Sequence, residues 1–166
     1  MKKKLTTIFF SVATIGIMIL IFMFSSQNSE DSSELSGGFI RTIIDALPFF
    51  AHTDAARKAE IVKSIHNFVR KTAHFSIYAA LGFCSAGSVI RYPPKKKKII
   101  VYLCASAFCM VYAATDEFHQ SFSPGRSCEL RDVIIDTCGG AVGAGLYLLP
   151  VTVIYWLKNR KIKKGG

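Results

Sequence analysis

The chain has 166 residues, of which 51% are hydrophobic and only 19% are charged, and its mean hydropathy is +0.33. An ordinary soluble domain of this size is less apolar, so the composition predicts one domain over residues 1–166, embedded in lipid. The formal net charge of +10 does not indicate a nucleic-acid partner, because the basic residues cluster at the ends of apolar runs.

The first apolar run covers residues 5–24 and follows a short basic start. An uncharged run of about twenty residues is long enough for a helix to cross a hydrocarbon core of about 30 Å. A cleaved signal peptide is the alternative. Its apolar region would be about 7–15 residues long and would end at a small-x-small site, and neither condition is clearly met before Ser25. We therefore expect a first transmembrane helix here.

Residues 25–72 have mixed polarity and form the predicted outer segment. The part before Gly38 is rich in Ser, Asn, Asp and Glu, which predicts a loop. Between Leu35 and Arg70, apolar residues recur at helical spacing on both sides of Pro48, which predicts two short amphipathic helices. These helices would rest on the outer surface of the bilayer or on the other helices. A small extramembrane cap is the alternative interpretation.

Three further apolar runs predict three more transmembrane helices, which makes the expected fold an all-α protein with four spans. The second span covers about residues 73–90 and ends in the basic loop RYPPKKKK. The third covers about residues 99–115, which is short for a span. The fourth covers about residues 133–157, with Pro150 as a predicted kink.

The distribution of basic residues predicts the orientation of these spans. Residues 2–4, 91–98 and 158–164 hold 13 of the 21 Lys and Arg residues and none of the 11 acidic ones. Because Lys and Arg are retained on the cytoplasmic side of short loops, we expect both termini in the cytoplasm. The polar stretch between the third and fourth spans then lies outside.

That stretch, DEFHQSFSPGRSCELRDVIID at residues 116–136, holds five carboxylates, one His, one Gln and two Arg. Ionisable groups at a membrane boundary are costly, so they indicate a function or a partner. Helical spacing places Lys71 and His74 on one face at the start of the second span. With the ends of the third and fourth spans and the SPGR turn, the candidate site comprises Lys71, His74, Asp116, Glu117, Gln120, Arg126, Asp132 and Asp136.

Two pieces of the chain resemble the signature of VanZ-like membrane proteins, the family named for a teicoplanin-resistance determinant. They are RKTAHFSIYAALGF at residues 70–83 and ATDEFHQSFSPGRSCELRDVIIDTCGGAVG at residues 114–143, and FSSQ at residues 24–27 also fits. The matching positions are Lys71, His74, Phe75, Tyr78, Asp116, Glu117, Gln120, Gly125, Arg126, Asp132, Asp136, Gly139 and Gly140. The resemblance implies a four-span protein of the bacterial cytoplasmic membrane linked to low-level glycopeptide resistance, without a defined reaction. It leaves His119 as a variable position.

The polar cluster is open to three interpretations. As a binding site, Lys71, His74 and Arg126 would offer donors to a lipid-linked or cell-wall precursor, or to a glycopeptide, at the outer face. As a catalytic site, the carboxylates and His74 could hold a divalent metal for phosphoryl chemistry, although no ordered metal motif such as HExxH is present. As a structural network, Asp136 would pair with Arg126, Lys71 or His74. We favour binding or modification of an envelope component, and we predict neither a cofactor nor a metal.

The fourth span also contains closely spaced small residues. Gly139 and Gly143 form a GxxxG, and Gly140 and Ala144 form a second pair at the same spacing. This spacing predicts close helix packing within one fold, with dimerisation as the alternative. The oligomeric state is not predicted.

Overall fold

The computed structural model describes residues 2–26, 38, 42–47, 53–89, 98–122 and 129–164. Over these residues the chain is helical and contains no strand, which confirms the all-α prediction. A short helical segment covers residues 42–46. The long helices are α1 (Lys2–Ser25), α2 (Ala55–Val89), α3 (Lys98–Gln120) and α4 (Leu130–Lys164). Four predicted features lie wholly or mostly outside the described residues: the loop before Gly38, the Pro48 break, the RYPPKKKK loop, and the SPGR turn with Gly125 and Arg126.

Three of the helices are long and apolar enough to cross a membrane: Lys4–Ser25, Lys98–Gln120 and Leu130–Ile154. Large apolar side chains such as Phe9, Val111 and Leu149 point away from the protein, each more than half exposed. Helices with such surfaces fit a lipid bilayer, because they present apolar side chains to the lipid and bond the backbone polar groups of their interior within the helix. These three helices indicate a multi-pass membrane protein. The span predicted at residues 73–90 falls within α2 and stays a prediction.

Helix α2 is longer than the sequence analysis predicts. It joins the expected second amphipathic helix and the expected second span into one helix of 35 residues. Residues 55–80 contain neither glycine nor proline, so nothing interrupts the hydrogen-bond ladder where the polar part gives way to the apolar part. The boundary expected near residue 72 is thus a change of side-chain polarity on a continuous backbone.

The segment before α2 folds back onto the first turns of that helix. The side chain of Ile44 is buried, and Asp45 Oδ1 lies 3.0 Å from Lys58 Nζ. A small cavity between these residues is also lined by Ala59 and Val62. We call residues 42–47 and the first two turns of α2 the cap. Its packing against α2 fits both the cap interpretation and that of an amphipathic helix resting on another helix.

Helices α2 and α4 run in the same direction and pack at very short range. A Cβ on Gly143 would collide with the carbonyl oxygen of Ala79, and one on Gly139 would collide with that of Phe75. Both contacts advance by four residues on each helix, which is the repeat of a parallel helix pair. The small-residue spacing therefore serves packing within one chain, as the sequence predicts.

Helices α1 and α3 run opposite to this pair. Thr14 Oγ1 of α1 lies 3.4 Å from Ser88 Oγ, near the end of α2. Tyr112 Oη of α3 donates a hydrogen bond to the Met18 carbonyl of α1 at 2.7 Å. The cores follow the same order, since Val101 and Ala105 pack with Ala86 and Leu148, and Cys109 packs with Tyr78. The start of α1 and the end of α4 therefore lie at one end of the bundle, and the end of α3 lies at the other.

Gly143→Ala should destabilise the bundle because the new methyl group meets the Ala79 backbone, which cannot move without separating α2 from α4. Overpacking of this kind destabilises a fold by about 1–3 kcal/mol. This exceeds the roughly 1 kcal/mol by which alanine stabilises a helix relative to glycine. Unfolding of the purified protein in detergent measures the change. Gly16→Ala is the control, since no atom lies within 4 Å of its added Cβ, and it should be neutral or stabilising. Equal effects of the two substitutions would contradict this packing.

Candidate functional site

The polar residues predicted from sequence meet where α2, α3 and α4 come together at one end of the bundle. Direct contacts link the members that the structure describes, and Arg126 lies outside that part of the chain. The cluster has two levels. Partly exposed ion pairs form an outer rim, and a buried group lies about one helical turn below it.

The rim connects α2 to the start of α4. Lys71 Nζ donates a hydrogen bond to Asp132 Oδ1 and lies 3.8 Å from Glu129 Oε2. Arg70 Nη2 lies 3.8 Å from Asp132 Oδ2. Arg70 and Glu129 are members that the sequence pattern does not predict, although Arg70 is adjacent to Lys71 and Glu129 precedes Asp132 by three residues. In the rim, opposite charges are matched and partly solvated.

Glu117 fastens the end of α3 to the start of α4. Its side chain is buried, and Oε1 accepts a hydrogen bond from the backbone N–H of Glu129 at 2.8 Å. Residue 129 directly precedes the first residue of α4, where backbone N–H groups have no partner inside the helix. A carboxylate at a helix N-terminus also interacts favourably with the helix dipole. Glu117 thus has a structural task that follows from its geometry.

Below the rim, His74, Asp116 and Asp136 form the group that we call the triad. His74 Nδ1 lies 3.4 Å from Asp136 Oδ2, and one donor atom from each of the three residues lies within 4.8 Å of the others. Asp116 and Asp136 are only 5% and 3% exposed. Among the three partners that the sequence predicts for Asp136, His74 is within ion-pair distance.

Parallel packing explains why the pairs form at two levels. Lys71 and His74 are three residues apart on α2, and Asp132 and Asp136 are four residues apart on α4, so each pair shares one helix face. Because α2 and α4 run in the same direction, Lys71 meets Asp132 and His74 meets Asp136 one turn further in.

Gln120 holds the third member of the triad. Its Nε2 donates a hydrogen bond to Asp116 Oδ2 at 3.0 Å, and both side chains are buried. The i, i+4 spacing places the amide directly over the carboxylate on the same face of α3. This hydrogen bond orients the Asp116 carboxylate.

Two buried polar atoms next to this group have no hydrogen-bond partner among the residues that the structure describes. They are Asp136 Oδ1 and Tyr78 Oη. Tyr78 is fully buried one turn beyond His74 on α2, and in the sequence only the family resemblance points to it. Burying a carboxylate oxygen without a partner is costly. The triad also carries two carboxylates against one imidazole, so its charge favours a cation or a hydrogen-bond donor.

His119 does not join the triad. Its ring packs against the Phe22 ring of α1, with ring centroids 4.7 Å apart. The His119 side chain therefore faces α1 and not the triad.

A double-mutant cycle on Lys71→Met and Asp132→Asn should give a coupling free energy of about 1 kcal/mol, the upper end for partly exposed pairs. Both side chains are less than a quarter exposed. The same cycle on Lys58→Met and Asp45→Asn is the control, and its coupling should be smaller because the Asp45 side chain is 52% exposed. Unfolding in detergent reports both values. A coupling near zero for the first pair would show that the rim does not tie α2 to α4.

The chain was compared with known proteins at the levels of family, sequence and structure. The family model described as VanZ/LLP1 matches residues 10–154. No curated protein and no solved structure matches the chain. The family match covers α2 and α3 completely, α1 from residue 10, α4 as far as residue 154, and every residue of the candidate site. The protein is therefore a member of the VanZ/LLP1 family.

Proposed function

We propose that this protein acts at the outer face of the bacterial cytoplasmic membrane, in envelope-mediated resistance to glycopeptides such as teicoplanin. Its polar cluster binds or modifies an envelope component. The observation that carries the proposal is the buried triad, in which Asp136 Oδ1 has no partner among the described residues. Ionisable residues inside membrane helices are costly, and they are found mostly where they serve a function.

The proposal includes four spans, with residues 73–90 of α2 as the second, and both termini in the cytoplasm. The direction of the helices supports it, since the start of α1 and the end of α4 lie at the end opposite the cluster. The same end carries the basic residues 2–4 and 158–164. Lys and Arg in these positions favour the cytoplasmic side.

A purely structural role fits the rim better than the triad. In the rim, Lys71 is neutralised by Asp132, and both side chains keep contact with solvent. In the triad, one imidazole faces two buried carboxylates. Buried ion pairs stabilise a fold only when their remaining lone pairs are also satisfied. The unpartnered oxygen of Asp136 is therefore an argument for a ligand.

The contacts indicate which residues bind which part of that ligand. Lys71 is engaged by Asp132 and Glu129, so recognition of phosphate falls mainly to Arg126, whose guanidinium can bind two oxygens at once. The triad accepts hydrogen bonds or holds a cation. A lipid-linked or cell-wall precursor carries phosphate together with hydroxyl or amino groups, and it presents them at the membrane surface. Such a head group matches both halves of the cluster.

The second candidate function is a membrane enzyme acting on a lipid or a phosphate-containing head group. The donor set of the triad favours it, because a nitrogen and two carboxylate oxygens at short range can hold an ion that polarises a phosphoryl oxygen. Both candidates use the same residues and the same face of the membrane.

The orientation is tested by labelling single cysteines in a cysteine-free background with an impermeant maleimide on intact cells. Ser121→Cys, next to the end of α3, should react, and Arg160→Cys, near the end of α4, should react only after the membrane is permeabilised. Both side chains are exposed in the fold. Labelling of position 160 but not of position 121 in intact cells would reverse the proposed orientation.

Asp136→Asn tests the role of the triad. The substitution keeps the shape of the side chain and removes a buried charge, so the protein should accumulate in the membrane at the wild-type level. Its teicoplanin resistance should be lost. Minimum inhibitory concentrations in a susceptible host that expresses each variant from the same promoter measure the effect. Asp54→Asn, at an exposed position just before α2, is the control and should keep full resistance. Full resistance in Asp136→Asn would exclude the triad from the activity.

A further inference from the structure

We propose that the triad of His74, Asp116 and Asp136 is a binding site for a divalent transition-metal ion, with Zn²⁺ as its representative. The inference deepens the proposed function and rests on it for the use of the ion, but binding itself can be measured without reference to resistance.

The spacing of the donor atoms fits a small ion. Bonds of about 2.0–2.1 Å from Zn²⁺ to nitrogen and oxygen place neighbouring ligands of a tetrahedral site roughly 3.3 Å apart. His74 Nδ1 and Asp136 Oδ2 are 3.4 Å apart, so both can bind one ion with almost no movement. One carboxylate oxygen of Asp116 lies within 4.8 Å of a ligand atom of each of the other two residues.

The chemistry of the donors selects the class of ion. Mg²⁺ and Ca²⁺ prefer oxygen ligands, whereas imidazole nitrogen suits Zn²⁺ and the neighbouring transition metals. Three protein ligands leave one position of a tetrahedral ion open, which is the arrangement of zinc sites that bind a substrate or a water molecule. The ion would also balance the charge of the two carboxylates, which one imidazole cannot do.

Two further observations point to an ion rather than to a simple ion pair. Asp136 is 97% buried, and its Oδ1 has no partner among the described residues, although it lies on the carboxyl group that faces His74. Gln120 donates a hydrogen bond to Asp116 at 3.0 Å, so the carboxylate is already held by an outer partner. Metal-binding residues are commonly oriented by such second contacts. Gln120 is accordingly a positioning residue.

The test uses the full-length protein in detergent micelles, with its affinity tag removed. After metal removal with EDTA, the protein is dialysed against buffered Zn²⁺, and the retained metal is measured by mass spectrometry. Wild type should retain one Zn²⁺ per chain and should gain thermal stability from it. Mg²⁺ should be neither retained nor stabilising. Asp136→Asn and Asp116→Asn should lose the retained ion and the stabilisation. Gln120→Ala should weaken Zn²⁺ affinity about 10- to 100-fold.

Asp54→Asn is the control, because it removes an exposed carboxylate far from the triad and should leave Zn²⁺ retention unchanged. Size-exclusion profiles and unfolding temperatures in EDTA establish that the variants are folded. The site is refuted if wild type retains no Zn²⁺, or if Asp136→Asn retains as much as wild type. Absence of Zn²⁺ together with loss of resistance in Asp136→Asn would overturn the metal site and leave the proposed function standing. Zn²⁺ retention by wild type together with full resistance in Asp136→Asn would support the metal site and overturn the proposed function.

Discussion

The contact between α2 and α4 is the constraint on which the rest of the molecule depends. Because Gly139 and Gly143 have no side chains, the two helices approach until backbone touches backbone. Parallel packing at this distance places Lys71 opposite Asp132 and His74 opposite Asp136. A wider separation would break both pairs at once. Small residues in the apolar part of the bundle thus set the geometry of charged residues at its end.

Burial divides the cluster into parts with different physics. At the rim, partly exposed charges of opposite sign neutralise one another, and their net contribution to stability is modest. One turn deeper, Asp116 and Asp136 are almost fully buried, and the same charges become much more costly. Glu117 and Gln120 hold the helix ends and one carboxylate in place. The architecture therefore concentrates its electrostatic cost in a group of three side chains.

Periodicity and charge predict much of this arrangement from the sequence. Apolar runs predict α1, α3 and α4, and i, i+4 spacing predicts which faces carry Asp116 with Gln120 and Asp132 with Asp136. The sequence does not show that α2 is continuous, because a change from polar to apolar side chains resembles a boundary although no helix breaker is present. Nor does it show which carboxylate meets which base, because that choice depends on the direction and separation of α2 and α4. Arg70 and Glu129 are missed for the same reason.

The unbroken backbone of α2 has a mechanical consequence. Nineteen residues separate Ala55 from His74, about 28 Å of helix without glycine or proline. Such a rod has no hinge, so a tilt of its first turns is a tilt of the whole helix. A tilt of about 2° around the glycine contacts would displace the far end by roughly 1 Å for each 28 Å of its length. A load on the surface where Asp45 meets Lys58 therefore moves the far end of α2, whereas His74, next to the Phe75–Gly139 contact, keeps its distance from Asp136.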